Sequence, residues 1–202
     1  MTNATMDPLT ALWIDSNVPH AYRSFSEELV KIAGVKVSEI DEWFEGLPKR
    51  QMKPDGVPQH PDFGQSLFIN GEYHLGKTRF VIGTMVTECL QHRKRFRWTE
   101  VVDYLEAQKV TMEINDPESP ELHAALRFVD RAKSSYFLIL DEVGEERYSA
   151  WTDDTLLRLL KGRFKAGHPT VIITQLTRSE WLSRYSRPLT AFIEKNCRRI
   201  TV

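Results

Sequence analysis

Hydrophobic and polar positions alternate with two different periods along most of this chain. Short apolar runs, the pattern of buried strands, lie at positions 66–70, 95–98, 136–141, 170–174 and 199–202. Amphipathic segments with helical spacing lie between or after them, over 77–91, 99–107, 121–132, 152–165, from 177 onward and over 188–196. Because strands and helices alternate, the pattern predicts an α/β fold with a mostly parallel sheet covered by helices on both faces.

The first sixty residues differ from the rest in their density of loop signals. Pro54, Gly56, Pro58 and Pro61 lie close together, and a capping-box spacing that begins at Ser24 predicts a helix to about residue 33. A second short helix is predicted after residue 38. We therefore expect a lead-in segment with short helices over 1–60 and one core domain over 61–202.

The segment after the first core strand fits a phosphate-binding loop. The pattern G-x-x-x-x-G-K-[ST] is met by Gly71, Glu72, Tyr73, His74, Leu75, Gly76, Lys77 and Thr78, and Arg79 follows directly. Glycines let backbone amides turn toward a phosphate, and the helix N-terminus adds partial positive charge. In this role Lys77 binds the β- and γ-phosphates and Thr78 ligates the metal. The pattern predicts a site for ATP and Mg²⁺, with His74 where many such loops carry another glycine.

Two carboxylates end the most apolar strand of the chain. Asp141 and Glu142 follow the run 136–140, some sixty residues after the phosphate loop. In P-loop proteins the first carboxylate reaches the Mg²⁺ shell, and the second acts on the attacking water. A base is useful only where water is the nucleophile, so the pair favours ATP hydrolysis over mere binding. A small-molecule kinase, which is near this length, is the weaker interpretation.

Further residues carry a resemblance to one family. They are 140–144, Trp151, Arg163, 169–176 and 196–202. Together with the phosphate loop, they resemble the AAA+ ATPases of the DnaC and IstB group, which are bacterial and phage helicase loaders and ATPase partners of transposases. The resemblance covers roughly residues 17–202. It implies a P-loop NTPase fold, a three-layer αβα sandwich with a five-stranded sheet, without the C-terminal lid of larger members.

The resemblance also implies roles for individual residues. The segment 18–23 resembles one that lies near the adenine, which implies contacts from Val18 and Tyr22. Gln175 fits a polar side chain that senses the γ-phosphate and assists catalysis. The family further implies an arginine that reaches a neighbouring subunit's nucleotide. Phe192 occupies that position here, and the alternatives Arg184 and Arg187 lie one or two turns earlier.

The function that the resemblance implies is slow ATP hydrolysis in DNA replication, for loading a replicative helicase. The alternatives are an IstB-like transposition ATPase that assists a transposase and a nucleotide-dependent adaptor with little hydrolysis. The implied partners are the helicase or transposase, single-stranded or duplex DNA, and further copies of the chain in an ATP-dependent homo-oligomer.

Charge and composition change this picture little. The net charge of −1 gives no chain-wide attraction to nucleic acid or to a membrane. The basic run 91–98 fits either a DNA contact or, more simply, a turn with buried aromatics such as Trp98. Glu145 and Glu146 are expected in a solvated loop. With no apolar run long enough to span a membrane, no signal peptide and only two cysteines, we expect a cytoplasmic protein.

Overall fold

The computed structural model describes residues 8–23, 42–43, 66–72, 76–92 and 94–202. Five strands are described: β1 (Ser66–Asn70), β2 (Phe96–Glu100), β3 (Phe137–Val143), β4 (Thr170–Thr174) and β5 (Cys197–Thr201). The helices of these segments are α1 (Pro8–Ser16), α2 (Lys77–His92), α3 (Val101–Glu113), α4 (Pro120–Ser134), α5 (Ala150–Lys165), α6 (Arg178–Arg184) and α7 (Arg187–Asn196). A 3₁₀ turn at His20–Tyr22 follows α1.

The five strands form one sheet in which every neighbouring pair is parallel. Their order is β2-β3-β4-β1-β5, so β1 lies between β4 and β5. In a parallel sheet all carboxyl ends meet at one edge, and ligands bind in crevices outside that edge. The ends of β1 and β3, which carry the phosphate loop and the two carboxylates, therefore lie on the same side of the molecule.

Helices cover both faces of the sheet because successive strand residues point to opposite sides. Leu67, Ile69, Ile139, Val171 and Ile173 pack with α1 and α2 in one buried cluster. The residues between them, such as Phe68 and Leu138, pack with α3, α4, α5, α6 and α7 in the other. This is the predicted three-layer αβα arrangement, and the prediction of a mostly parallel five-stranded sheet is confirmed.

The local signals that start the helices are visible in the structure. Thr177 and Glu180 form a capping box at the start of α6, where the pattern predicts a helix from 177 onward. Ser149 caps α5 in the same way. The helix begins at Ala150, two residues before the predicted start at 152. The predicted helix start at 99 is wrong: Thr99, expected to cap that helix, is a buried residue of β2, and Glu100 precedes α3 without a side-chain capping bond. The hydroxyl of Thr99 instead donates to the carbonyl of Glu100.

The N-terminal region contributes a helix that the sequence pattern did not predict. Leu12 of α1 is buried in the cluster that also contains α2, and Val18 lies there with 1 % exposure. The predicted helices from 24 to 33 and after 38 fall largely outside the described residues, as does the boundary at 60 and 61, which stays a prediction. Among the helices that the structure describes, none has the length and apolar character that a membrane crossing requires.

Candidate nucleotide-binding site

The phosphate loop joins the end of β1 to the start of α2. Gly71 and Glu72 follow the strand, and Gly76, with φ of 75°, precedes the helix. Tyr73, His74 and Leu75 lie outside the described residues. The ammonium of Lys77 reaches back across the loop, where Nζ donates to the carbonyl oxygens of Gly71 at 2.7 Å and Glu72 at 2.6 Å.

Burial of the Lys77 side chain has an electrostatic consequence. Desolvation lowers the pKa of the Lys77 ammonium, and the nearby charge of Asp141 opposes that change. A half-buried cation between the loop and a carboxylate is suited to an anion such as a phosphate, which would restore the solvation that burial removes.

Asp141 at the end of β3 meets the first turn of α2. The hydroxyl of Thr78 donates to Oδ1 of Asp141 at 3.2 Å, and the backbone N–H of Glu142 donates to the same oxygen at 2.9 Å. The indole Nε1 of Trp98 donates to the other oxygen, Oδ2, at 3.0 Å. The carboxylate is only 2 % exposed. The sheet therefore brings together the two side chains that were predicted to hold the metal.

The side-chain oxygens of Thr78 and Asp141 are suitable ligands for Mg²⁺. Hydroxyl and carboxylate oxygens are the hard ligands that Mg²⁺ prefers, and it usually takes only one or two from protein, with the rest from phosphates and water. Desolvation raises the pKa of Asp141, while the hydrogen bonds from Trp98, Thr78 and Glu142 and the charge of Lys77 oppose the rise. Among the described residues no group of three or more His, Cys, Asp or Glu could hold a metal ion without the nucleotide.

Glu142 is presented by an irregularity of β3. The register between β3 and β4 shifts between Leu140 and Val143, so β3 carries an extra residue there, and Glu142 has φ of 55°. A non-glycine residue in this left-handed region is uncommon and is often found at functional sites. Burial, followed by the charges of Asp141, Glu145 and Asp103, raises the pKa of Glu142. A half-buried carboxylate with a raised pKa is a suitable proton acceptor for water.

The residues predicted near the adenine fall into two groups. Tyr22 lies beside the phosphate loop, with its ring centroid 6.0 Å from the guanidinium of Arg79 and 6.1 Å from the ring of Trp98. Val18 is buried in the core cluster below. Burial and the charges of Asp141 and Glu142 raise the pKa of the Tyr22 phenol. Tyr22 and Arg79 therefore border the same site as Thr78 and Asp141.

Gln175 lies at the carboxyl edge as well, directly after β4. Its Oε1 atom is buried and has no hydrogen-bond partner among the described residues. An unpaired buried acceptor costs free energy, so it commonly marks a place where a ligand or a water supplies the missing donor. The role of Gln175 as a sensor of the γ-phosphate stays a prediction.

Two further acidic residues at this edge were missed or misassigned. Glu100 ends β2 opposite Asp141 in the register, and burial with the charges of Glu142, Asp103 and Asp141 raises its pKa. The solvated-loop prediction is wrong for Glu146, which is 4 % exposed. Oε2 of Glu146 accepts from the backbone N–H of Gly144 at 2.8 Å, and Oε1 accepts from the phenol of Tyr185. Glu145 is exposed, as predicted.

Three basic side chains that the structure describes in the run 91–98 make contacts within the chain. The ammonium of Lys94 lies 4.5 Å from the ring centroid of Tyr136, and Arg95 pairs with Asp15 at 2.9 Å. Arg97 is buried, with its guanidinium 5.0 Å from the ring of Phe128. With Phe96 and Trp98 buried, these contacts match the interpretation of the run as a turn and strand that bury their aromatics.

Two of the three residues at which a trans-acting arginine was expected, Phe192 and Arg184, make contacts within their own subunit. The ring of Phe192 packs edge-on against Phe164, 5.8 Å between centroids. Arg184 donates to the carbonyl of Glu146 and lies 3.6 Å from its carboxylate. Arg187 is exposed at the start of α7.

Solved structures share this architecture at low sequence identity. The DnaC helicase loader superimposes with a TM-score of 0.62 at 18 % identity, covering 82 % of this chain and 88 % of that one. A putative primosome component from Streptococcus pyogenes serotype M3 has a TM-score of 0.64 at 14 % identity, with 97 % of both chains covered. The replication initiator DnaA bound to AMPPCP and single-stranded DNA has a TM-score of 0.62 at 15 % identity, covering 86 % of this chain and 49 % of that one.

The chain has the AAA+ fold. The fold predicted from the phosphate loop and the resemblance is confirmed. No protein-family model and no curated protein sequence matches the chain. At these identities the likeness establishes the AAA+ fold, and the case for a function depends on the site that this chain builds upon it.

Proposed function

We propose that this AAA+ protein binds ATP with Mg²⁺, hydrolyses it slowly, and acts in DNA replication as a loader of a replicative helicase. One observation carries the proposal: Thr78 of the phosphate loop donates a hydrogen bond to Asp141 at the end of β3. Two motifs that are far apart in the sequence thus meet in the arrangement that phosphoryl transfer with a bound metal requires.

The site residues divide the chemistry among them. The ammonium of Lys77 would leave the carbonyls of Gly71 and Glu72 to bind the β- and γ-phosphates. Thr78 and Asp141 would hold the metal, which neutralises the charge that develops on the phosphates. The carboxylate of Glu142 would accept a proton from the attacking water. Because such catalysis is mostly positioning and charge neutralisation, an isolated subunit should turn over slowly.

The role in replication is supported by the solved structures with this fold. Among them are a helicase loader, a putative primosome component and a replication initiator bound to single-stranded DNA. By analogy with these proteins we propose a replicative helicase as the partner, with DNA nearby and a cytoplasmic site of action. An ATP-dependent homo-oligomer and a transposition ATPase acting with a transposase stay predictions from the sequence resemblance.

A second candidate function is a nucleotide-dependent adaptor that scarcely hydrolyses ATP. Two observations favour it. Phe192 packs against Phe164 where an arginine was expected, and Arg184 is held by Glu146 of its own subunit. Without a trans-acting arginine, an AAA+ site would bind ATP but lack a group that commonly accelerates its hydrolysis.

ATP hydrolysis by the purified protein separates the two functions. Turnover would be measured alone, with single-stranded DNA, with duplex DNA and with a replicative helicase, beside the variant Glu142→Gln. We expect Glu142→Gln to reduce turnover by roughly 10²- to 10⁴-fold while ATP binding is retained. Glu113→Gln, a change at an exposed residue of α3, is the matched control.

Each outcome assigns a function. Turnover that a helicase or DNA stimulates and that Glu142→Gln abolishes supports the loader. Tight ATP binding without turnover under any condition contradicts the loader and supports the adaptor. A protein that binds no nucleotide contradicts both.

A further inference from the structure

Trp98 is a buried core residue whose indole N–H also donates a hydrogen bond to a charged side chain, Asp141. The side chain of Trp98 is 3 % exposed on the face of the sheet that packs against α1 and α2. Its strand, β2, runs parallel to β3, with Trp98 opposite Ile139 and Glu100 opposite Asp141. From this position the indole reaches forward to the carboxyl edge, and Nε1 donates to Oδ2 of Asp141 at 3.0 Å.

The three hydrogen bonds to Asp141 reach its two carboxylate oxygens from different sides of the site. Oδ1 accepts from Thr78 of the phosphate loop and from the backbone of Glu142. Oδ2 accepts from Trp98. With a donor on each oxygen, rotation of the carboxylate about its last bond would break at least one hydrogen bond. A charge-assisted bond of this kind is stronger than a neutral one.

Building on the Mg²⁺–nucleotide site proposed above, we propose that Trp98 is a positioning residue for metal binding. Its indole N–H fixes the orientation of the Asp141 carboxylate, so that Oδ1 faces Thr78 and the phosphate loop before any ligand arrives. The effect would act on the metal-dependent part of nucleotide binding, because the indole N–H of Trp98 donates to Asp141, the proposed metal ligand. Partners that orient a metal ligand commonly contribute roughly 10- to 100-fold to metal affinity.

The indole is itself held from the N-terminal side. The ring of Tyr22 lies 6.1 Å from that of Trp98 at an interplanar angle of 57°. The side-chain amide of Asn17 donates to the carbonyl of Trp98 at 3.4 Å, and Arg95, three residues earlier, pairs with Asp15. The segment from α1 to the 3₁₀ turn therefore lies along β2 and restricts the indole that orients Asp141.

The test replaces Trp98 with phenylalanine, which removes the N–H and keeps an aromatic ring. The measured quantity is the affinity for a non-hydrolysable ATP analogue such as AMPPCP, once with Mg²⁺ and once with EDTA. We expect Trp98→Phe to weaken binding with Mg²⁺ by roughly tenfold and to leave binding in EDTA within about twofold. A purely structural defect would weaken both.

Trp181 offers a matched control. It is 2 % exposed, it packs on the opposite face of the sheet, and its Nε1 has no hydrogen-bond partner among the described residues. Trp181→Phe removes the same atoms from an equally buried site, so we expect both affinities to stay at the wild-type values. If Trp98→Phe destabilises the fold, 3-benzothienylalanine at position 98 keeps the shape of the indole and removes only its N–H.

A spectrum of the free protein tests the contact without nucleotide. Each of the five tryptophans contributes one indole N–H signal in a ¹H–¹⁵N spectrum, and the signal lost in Trp98→Phe belongs to Trp98. We expect that signal to move in Asp141→Ala while the Trp181 signal stays in place.

The outcomes separate this inference from the proposed function. An Mg²⁺-dependent affinity in Trp98→Phe equal to that of Trp181→Phe overturns the positioning role and leaves the ATP site intact. A wild-type protein that binds no nucleotide contradicts the proposed function. In that case the indole spectrum still decides whether Trp98 holds Asp141, because an unmoved Trp98 signal in Asp141→Ala overturns the contact.

Discussion

Two charged side chains are buried at opposite ends of the same sheet, Asp141 at the carboxyl edge and Arg163 at the amino edge. Their exposures are 2 % and 1 %. Arg163 extends from α5 to the start of β3 and β4, and its guanidinium donates to backbone carbonyls and two hydroxyls. The acceptors are the carbonyls of Ala132, Lys133, Ser135, Tyr136 and Pro169 and the hydroxyls of Ser135 and Thr170.

The environments of Arg163 and Asp141 differ in which groups bind the buried charge. Every acceptor around Arg163 belongs to the chain, and two of them are carbonyls in the last turn of α4, which have no partner within the helix. Burial lowers the pKa of Arg163 to about 9, still above neutral, so the charge is present and fully bonded. Asp141 instead faces Thr78 and a loop with a phosphate-binding pattern. We infer that Arg163 stabilises the fold, whereas the fold orients the carboxylate of Asp141 for a ligand.

The largest expected effect is at Arg163. Arg163→Met keeps much of the apolar stem but leaves several buried carbonyls without a donor. Since each unsatisfied buried group costs about 1–3 kcal/mol, we expect the free energy of unfolding to fall by about 3–5 kcal/mol in urea titrations. Arg158→Ala, at an exposed residue of the same helix, is the control and should cost less than about 0.5 kcal/mol. Equal losses in the two variants would contradict a structural role for Arg163.

At Asp141 we expect a different pattern, in which the loss of ATP binding is the main effect and the loss of stability is smaller than at Arg163. Burial raises the pKa of Asp141, so the folded state favours the protonated carboxyl. Stability from that preference is present at low pH and is lost as the pH rises through the raised pKa; near neutral pH the ionised form therefore costs free energy. Asp141→Asn removes that cost, but its amide nitrogen leaves one of the donors to Asp141 without an acceptor, so the free energy of unfolding near neutral pH should fall by at most about 1–3 kcal/mol, less than at Arg163. Its Mg²⁺-dependent ATP affinity should fall by roughly 10- to 100-fold.

A calorimetric titration with Mg²⁺ and ATP and a urea titration of the same protein check both halves of that expectation. If Asp141→Asn unfolds as readily as Arg163→Met, the two buried charges do not differ in kind, and the contrast between the two edges fails.

Glu146 sharpens the contrast because it is a structural carboxylate at the functional edge. It accepts from Gly144 and Tyr185 and lies beside Arg184, so it joins the loop after β3 to the segment between α6 and α7. Glu146→Ala leaves the Gly144 N–H and the Tyr185 phenol without their acceptor. We expect it to lower the free energy of unfolding by about 2–3 kcal/mol, measured by urea denaturation. The neighbouring Glu145→Ala should cost less than about 0.5 kcal/mol, and a similar cost for both would contradict this role.

The sequence pattern predicted the parts of the fold that depend on local order. The strands at 66–70 and 170–174 have the predicted bounds, because each is a continuous buried run of neighbouring residues. The strand that ends at Asp141 was predicted two residues too short, since its bulge allows Val143 to pair again with β4. The helix α1 was missed because the loop signals of the first sixty residues dominated its surroundings.

The candidate site was predicted only as far as its motifs extend. Lys77, Thr78 and Asp141 belong to patterns with fixed spacing, and the structure brings them together. Trp98 and Glu146 have no such pattern. Their partners are 43 and 39 residues away in the sequence and become neighbours only through the register of the strands and the packing of α6. A periodicity argument assigns such residues to the core or to a loop and cannot identify their hydrogen-bond partners.

The smallest expected effect concerns Glu100, whose carboxyl lies among other carboxylates at the same edge as Asp141. Burial and the charges of Glu142, Asp103 and Asp141 raise its pKa. Because the pKa is raised in the folded state, the stability that the protonated carboxyl contributes at low pH is lost as the pH rises through that pKa. Near neutral pH the ionised Glu100 is therefore repelled by the neighbouring carboxylates in the metal-free protein. Glu100→Gln removes one of these charges. We expect it to raise the free energy of unfolding by a few tenths of a kcal/mol at low salt, a modest gain because the group is partly solvated.

The pH and salt dependence of that gain identifies its cause. It should disappear below about pH 3, where the carboxyls are protonated in both the folded and the unfolded states, and shrink at high salt, where exposed charges are screened. Thermal unfolding without metal, over a series of pH values and salt concentrations, measures both trends. A gain that is constant with pH would indicate better packing of glutamine. It would then remove Glu100 from the group of charges that separates the carboxyl edge from the edge where Arg163 lies.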